Sequence, residues 1–276
     1  MAAAAHTLRD VIAVLDEIWP RSLAEEWDAV GLVTGNPAGD VQSIRLVVDV
    51  VSDTVSEAID AGDDLIIAHH PLLLRGVTSL AEDEVKGHLV AQLIRHDVAL
   101  FSAHTNADAV MGGTSETLGR ALGLESMRPI GAQGDIDTGI GRVGRLAEPV
   151  RLYDLASRLG GLVPQTAGGV KVSGDPEGMV QRVALCTGAG DSLLGHPDVT
   201  SADVYITGDL RHHPASDVQQ ARLLGHGPAL IDVSHFASEW FFLDHTAKVL
   251  QQRLPGVRIS VSEVVTDPWD FVVHPG

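Results

Sequence analysis

Basic side chains are scarce in this sequence. Only 19 Lys and Arg stand against 37 Asp and Glu in 276 residues, a formal net charge of −18. A general nucleic-acid binder needs clustered cations to neutralise phosphates, so nucleic acid is not an expected partner. The same acidity suits metal cations, and it admits a small anionic substrate only where a metal or local basic residues offset the field. Cysteine is rarer still: Cys186 stands alone, which excludes an intrachain disulfide and fits a reducing compartment. Aromatic residues make up 4%, so the core is expected to be aliphatic. No apolar run approaches the ~20 residues of a membrane span. The start, Met1 to Asp10, is alanine-rich but has no basic region followed by a long apolar stretch, so it is not expected to be a signal peptide. A cytoplasmic protein without membrane contact is the expectation.

What is present is an alternation of short apolar runs and amphipathic segments. Leu8, Val11, Ile12, Leu15 and Ile18 fall at helical spacing between Thr7 and Trp19, and Pro20 stops the helix. Ile44 to Val50 reads as a strand. A helix capped by Ser52 or Asp53 follows to Gly62, then a strand from Asp64 that ends in His69 and His70, a helix from Glu82 to His96, and a strand from Val98 to His104. Strand–helix–strand–helix–strand predicts parallel pairing with right-handed crossovers. Thr114 to Leu122 reads as a short helix. Gly131 to Gly144 is rich in glycine and aspartate and marks a boundary. Gly139-Ile140-Gly141-Arg142-Val143-Gly144 matches a dinucleotide fingerprint only as a string, because Gly141 to Leu146 reads as a strand rather than a helix start. Further on come a helix from Val150 to Leu159 ended by Gly160-Gly161, a strand from Val180 to Cys186, and a glycine turn, Thr187 to Ser192. A strand from Asp203 to Asp209, a helix from Ala215 to Leu224, a short strand from Leu230 to Val233, a helix from Ser234 to Leu254 and a closing strand, Val257 to Val265, complete the chain.

The strand ending Ile67-Ala68-His69-His70-Pro71 delivers two imidazoles to the carboxyl edge of a parallel sheet, where α/β proteins collect ligands. Side chains alternate along a strand, so the two rings are expected to diverge unless the strand bends. One histidine for each of two ions suits that geometry. His104 and Asp108 follow the next strand and emerge at the same edge. His235 and Glu239, four apart, share one helix face, with Ser234 as the expected N-cap. The candidate ligand set is therefore His69, His70, Asp108, His235 and Glu239. Imidazole with carboxylate suits zinc, iron, manganese or cobalt, and the lack of thiolates disfavours a structural zinc finger. Five ligands exceed one open catalytic ion and suit two, sharing a carboxylate. The plainer reading makes them separate surface or capping residues. His104, His212 and His213 are candidate proton carriers or substrate contacts, with structural roles as the alternative. Asp28 is read as a turn or helix-capping residue that could also reach a site.

Six ordered segments resemble the GTP cyclohydrolase 1 type 2 homologue family, also called the Nif-three-like dinuclear metal-centre family. They are Trp27-Asp28-Ala29-Val30-Gly31-Leu32, Ile67-Ala68-His69-His70-Pro71, His104-Thr105-Asn106-Ala107-Asp108, Gly139 to Gly144, Thr207-Gly208-Asp209-Leu210-Arg211-His212-His213, and Ser234-His235-Phe236-Ala237-Ser238-Glu239. The resemblance covers nearly the whole chain. It implies a two-lobed α/β fold, each lobe a mixed, mainly parallel sheet flanked by helices. Residues 1–126 with 232–276 would form the metal-site lobe, and 127–231 the second. It also implies two divalent ions per chain. His69 and His235 would hold one, His70 and Asp108 the other, and Glu239 would bridge them. A ring-shaped homohexamer and hydrolysis of GTP with release of formate come with the family; a non-catalytic metal-binding or partner-binding assembly is the alternative. The family pattern departs at Ala29, usually Asn, and at Ser234, usually Gly.

Overall fold

A computed structural model describes residues 6–134 and 137–274. The first alanines of the chain, and residues 135–136 inside the expected boundary segment, lie outside the described residues. The chain divides into two compact units. One comprises the chain up to Ala107 together with Leu243–Thr266; the other comprises Asp108–Phe242 and the chain from Asp267.

The first unit is built on a five-stranded sheet in the order Arg258–Val261, Ser43–Val47, Leu65–Ala68, Ala99–Ser102, Gly31–Thr34. The first three pairings are parallel and the last antiparallel. The three central strands are buried along their whole length, which is why they read as continuous apolar runs. Val47, Ile66, Ala68 and Leu100 pack with Val55 and Ala58 of the helix Ser52–Ala61 and with Leu89 and Leu93 of the helix Val85–Arg95. The helix Leu8–Ile18 buries Leu8, Val11 and Leu15, and Thr7 closes a capping box with Asp10.

Two sequence expectations shift here, and one strand is added. The helix Ser52–Ala61 is not capped by Ser52 or Asp53. Thr54 Oγ1 accepts from the Val51 amide at 3.0 Å instead. The helix expected from Glu82 starts at Val85, and Glu82 instead pairs with Arg95 at its far end. The strand Gly31–Thr34 has no apolar alternation to announce it and is held by pairing with Ala99–Ser102.

The second unit carries a six-stranded sheet in the order Leu124–Arg128, Arg142–Arg151, Met179–Ala189, Val204–Gly208, Ala229–Val233, Val170–Ser173. The three strands from Met179–Ala189 to Ala229–Val233 are parallel, and antiparallel strands flank them. The mixed α/β class holds in both units, with parallel pairing dominant in the first and central in the second. Leu155 and Leu159 of the helix Leu152–Leu162 join Leu185, Ile206 and Ile231 in the core. Gly160-Gly161 do not end that helix, because Leu159 packs in the core and Leu162 against it; burial outweighs the weak helix propensity of glycine. The glycine string 139–144 leads into a strand, as expected. Arg142, 1% exposed, is its anchor: it donates to the carbonyls of Gly139, Gly141 and Val110 and faces Glu116. Among the described residues no helix is long and apolar enough to cross a membrane.

Candidate metal centre

In the first unit the strand Leu65–Ala68 stops one residue before the histidine pair. The backbone bends at His69 and His70 while their amides still reach Val47 and Val48 at 3.0 and 2.8 Å. The expected divergence of the two side chains therefore does not occur, and their ring centroids lie 5.1 Å apart. His104, arriving from the neighbouring strand, stands 5.3 Å from His69 and 5.5 Å from His70. One ligand atom from each of the three rings lies within 4.8 Å of the others, close enough to hold a metal ion.

Each ring is held from behind. His69 Nδ1 meets the Ala103 carbonyl at 3.0 Å, His70 Nδ1 meets Asp49 at 2.7 Å, and His104 Nδ1 meets Asp28 at 2.9 Å. An Nδ1–H given to an oxygen fixes the tautomer and turns the Nε2 lone pair outward, the usual support of a metal-ligating histidine. Asp49 is itself fixed by the Thr266 hydroxyl at 2.5 Å. Asp28 does more than cap a turn. It accepts from the Thr105 amide and hydroxyl as well as from His104. Burial alone would raise the Asp28 pKa, but His104 and Thr105 hold it well below the usual carboxylate range. Trp27, largely exposed, sets its ring edge-on to His104 at 5.9 Å.

The second unit holds Asp108, His235 and Glu239. Ser234 caps the helix His235–Arg253 as expected, its hydroxyl accepting from the Ala237 amide at 3.3 Å. His235 Nδ1 meets Asp209 at 2.6 Å, and His235 Nε2 lies 3.3 Å from Glu239. Asp209 adopts a left-handed φ of 55°, a conformation aspartate tolerates better than most residues. Burial would lower the His235 pKa; Glu239 and Asp209 overcome it and push it up to about 11. Glu239 is 4% exposed. Behind it the strand Met179–Ala189 runs past Cys186, further than expected, so Gly188 is a strand residue rather than part of the expected glycine turn. The Gly188 amide donates to Ser238 Oγ at 2.9 Å. Asp108 accepts from the Thr114 hydroxyl, which accepts in turn from Thr187 at 2.8 Å. Cys186 is pushed up to about 12 by burial and then by the charges of Asp108 and Glu239, so it is no nucleophile at neutral pH.

His212 and His213 open the helix His212–Leu223, exposed and edge-on to each other at 5.2 Å. Among the described residues neither enters a cluster able to hold an ion. The residues that sequence reasoning underused are Asp49, Asp28 and Asp209, the carboxylates behind His70, His104 and His235. Their signal was only a position at a strand end or turn.

The α/β fold thus presents a group of imidazoles that could hold a metal ion, with carboxylates backing several of its histidines. The chain belongs to the Duf34/NIF3 (NGG1p interacting factor 3) family, whose model matches residues 6–268. A Streptomyces coelicolor protein named GTP cyclohydrolase 1 type 2 homolog is 42% identical over 270 residues, covering 95% of this chain and 93% of its own. A Mycobacterium tuberculosis protein of the same name is 32% identical over 372 residues, 96% of this chain and 97% of its own. Among solved structures, a Bacillus cereus protein related to NIF3 matches with a TM-score of 0.86 at 23% identity, covering 98% of this chain and 100% of that one. A Staphylococcus aureus hypothetical protein matches at 0.84 and 27% identity, covering 96% and 99%. The former supports the fold alone.

Proposed function

We propose that this chain is a dinuclear metal-binding protein and a metal-dependent hydrolase acting on a nucleotide or phosphoester. The observation that carries the reading is the fixing of four histidines through Nδ1, three by carboxylates and one by a carbonyl. Histidines that serve only as surface polar groups have no need of such backing. In this reading, which follows the family resemblance, His69 and His235 would hold one ion and His70 and Asp108 the other, with Glu239 completing the ligand set. The donor set, nitrogen with carboxylate oxygen and no thiolate, fits zinc, iron or manganese. Two such ions, when bound, would supply a water of lowered pKa and a clamp for developing negative charge.

The chain's own residues do the rest. His104, its Nδ1 held by Asp28, takes up or returns a proton at Nε2. His212 and His213 meet an anionic group of the substrate at the first turn of their helix, where unpaired amides favour negative charge. Trp27 offers an aromatic edge beside His104. The name carried by the relatives, GTP cyclohydrolase 1 type 2 homolog, supports a purine nucleotide as the substrate class. The family resemblance further supports a homohexamer, and the lone cysteine fits a cytoplasmic location.

The test is incubation of metal-loaded protein with GTP and assay of released formate, with a panel of other nucleotides and phosphoesters beside it. Metal-dependent turnover that Asp108→Ala abolishes, with the melting temperature retained, supports the hydrolase. Tightly bound ions with no turnover on any substrate would overturn it in favour of a metal-binding or partner-binding assembly.

A further inference from the structure

The second unit has a small cleft that the metal chemistry does not use. Ser126, Arg128, Val143, Gly144, Arg145 and Arg182 line about 140 Å³ of space. At ~30 Å³ per water in the liquid, that is the bulk of a few waters or one tetrahedral oxyanion. Three of the chain's 19 basic residues meet there although the chain as a whole is strongly acidic.

Their arrangement is costly. Arg145 and Arg182 are direct register partners on the antiparallel strands Arg142–Arg151 and Met179–Ala189. Like charges placed directly opposite each other destabilise a sheet. The available counter-charge is mostly spent elsewhere. Asp198 is gripped by both terminal nitrogens of Arg128 and by the Gly131 amide, and it reaches Arg182 Nη2 only at 3.3 Å. Arg145 holds the neutral Gln181 side chain at 2.9 Å. Glu125 lies opposite Arg145 on the outer strand and is exposed. Arg182 Nε is shielded from water and has no hydrogen-bond partner among the described residues. A buried donor left unsatisfied costs free energy.

We infer that this cleft binds a phosphate group, with Arg182 and Arg145 as its two forks and the Ser126 hydroxyl as a further donor. Guanidinium planes match phosphate oxygens in pairs, and a tetrahedral dianion would offset the facing positive charges. The cleft is separate from the His235–Glu239 side of the unit. Arg182 and Gly188 share one strand, six residues or about 20 Å apart at ~3.3 Å per residue. The phosphate could be free inorganic phosphate or the phosphoryl group of a small metabolite.

The experiment is titration calorimetry on the full chain after EDTA treatment, so that no metal competes for the anion. Inorganic phosphate, GMP and guanosine are titrated in turn. Saturable phosphate binding is expected, weakened at least tenfold in Arg182→Gln and in Arg145→Gln. GMP binding tenfold tighter than phosphate would point to a phosphorylated metabolite; equal affinity would point to free phosphate. Guanosine is expected not to bind. Because Arg145 is exposed, its variant is expected to fold, with a melting temperature at or above wild type as the charge repulsion is relieved. No saturable binding to wild type, or phosphate affinity unchanged in both arginine variants, would overturn the site.

Discussion

A Cβ on Gly188 would stand 2.2 Å from Oε1 of Glu239 and 3.1 Å from Nε2 of His235. Strand and helix meet where only a hydrogen fits, and Gly188 also holds a left-handed φ of 66°. Gly188→Ala is therefore expected to displace the Glu239 carboxylate and lower metal affinity at least tenfold. The left-handed conformation adds a stability loss of about 1–2 kcal/mol. Chelator competition reads the first effect and urea unfolding the second. Lost stability with wild-type metal affinity would separate Gly188 from the metal site.

The carboxylates behind the histidines make a second prediction. Asp49→Asn and Asp209→Asn keep shape but replace the charged acceptors of His70 and His235. Loss of such support lowers metal affinity by about 10–100-fold. The expected result is weaker zinc retention against a chelator with little change in circular dichroism. Asn variants that retain zinc as wild type does would show these aspartates to be structural only.

The pH dependence has a definite sign. In the metal-free chain His235 is pushed up to about 11, since Glu239 and Asp209 outweigh the opposing effect of burial. A group whose folded pKa is raised contributes stability fully present below its unfolded value, ~6.5 for histidine, and lost as pH climbs toward the folded value. A metal must displace that proton. Zinc binding between pH 7 and 8 is thus expected to release about one proton from His235 per chain and to tighten as pH rises. Calorimetry in buffers of different ionisation enthalpy measures the proton count. Zero release would place His235 outside the ligand set. Asp28 acts in the opposite direction. Its lowered pKa gives stability present above ~3.9 and lost on acidification.

The first-unit sheet was legible because its central strands are buried on both faces and alternate with helices, so composition alone marks them. The histidine pair was legible because a strand end followed by proline is a local feature. The supports were not. Asp28 reaches His104 across 76 positions, and Asp49 reaches His70 across 21; no local pattern encodes either contact. The strands Gly31–Thr34 and Val170–Ser173 were missed because neither is a buried apolar run, and each exists through its pairing partner. The strand past Cys186 was misjudged because Gly188 reads as a turn. The glycine there serves the approach of Glu239, a contact made 51 residues later in the chain.

The glycine string 139–144 yields a stability prediction in place of a nucleotide-binding one. Arg142, 1% exposed, gathers three carbonyls and Glu116. Arg142→Ala leaves those acceptors buried without their donor and is expected to cost about 3–5 kcal/mol, toward the lower end because Arg120 still pairs with Glu116. Urea unfolding is the measurement. A loss below about 1 kcal/mol, within the range of an ordinary surface change, would mean that the arginine is not the anchor of this segment.

The most direct measurement is the metal content of the full chain purified without chelators, by inductively coupled plasma mass spectrometry, in wild type and in His70→Ala with Glu239→Ala. Two divalent ions per chain in wild type and fewer than one in the double variant is the expected result. Wild-type protein that carries no stoichiometric metal, even after incubation with zinc or manganese, would contradict a metal centre at these histidines.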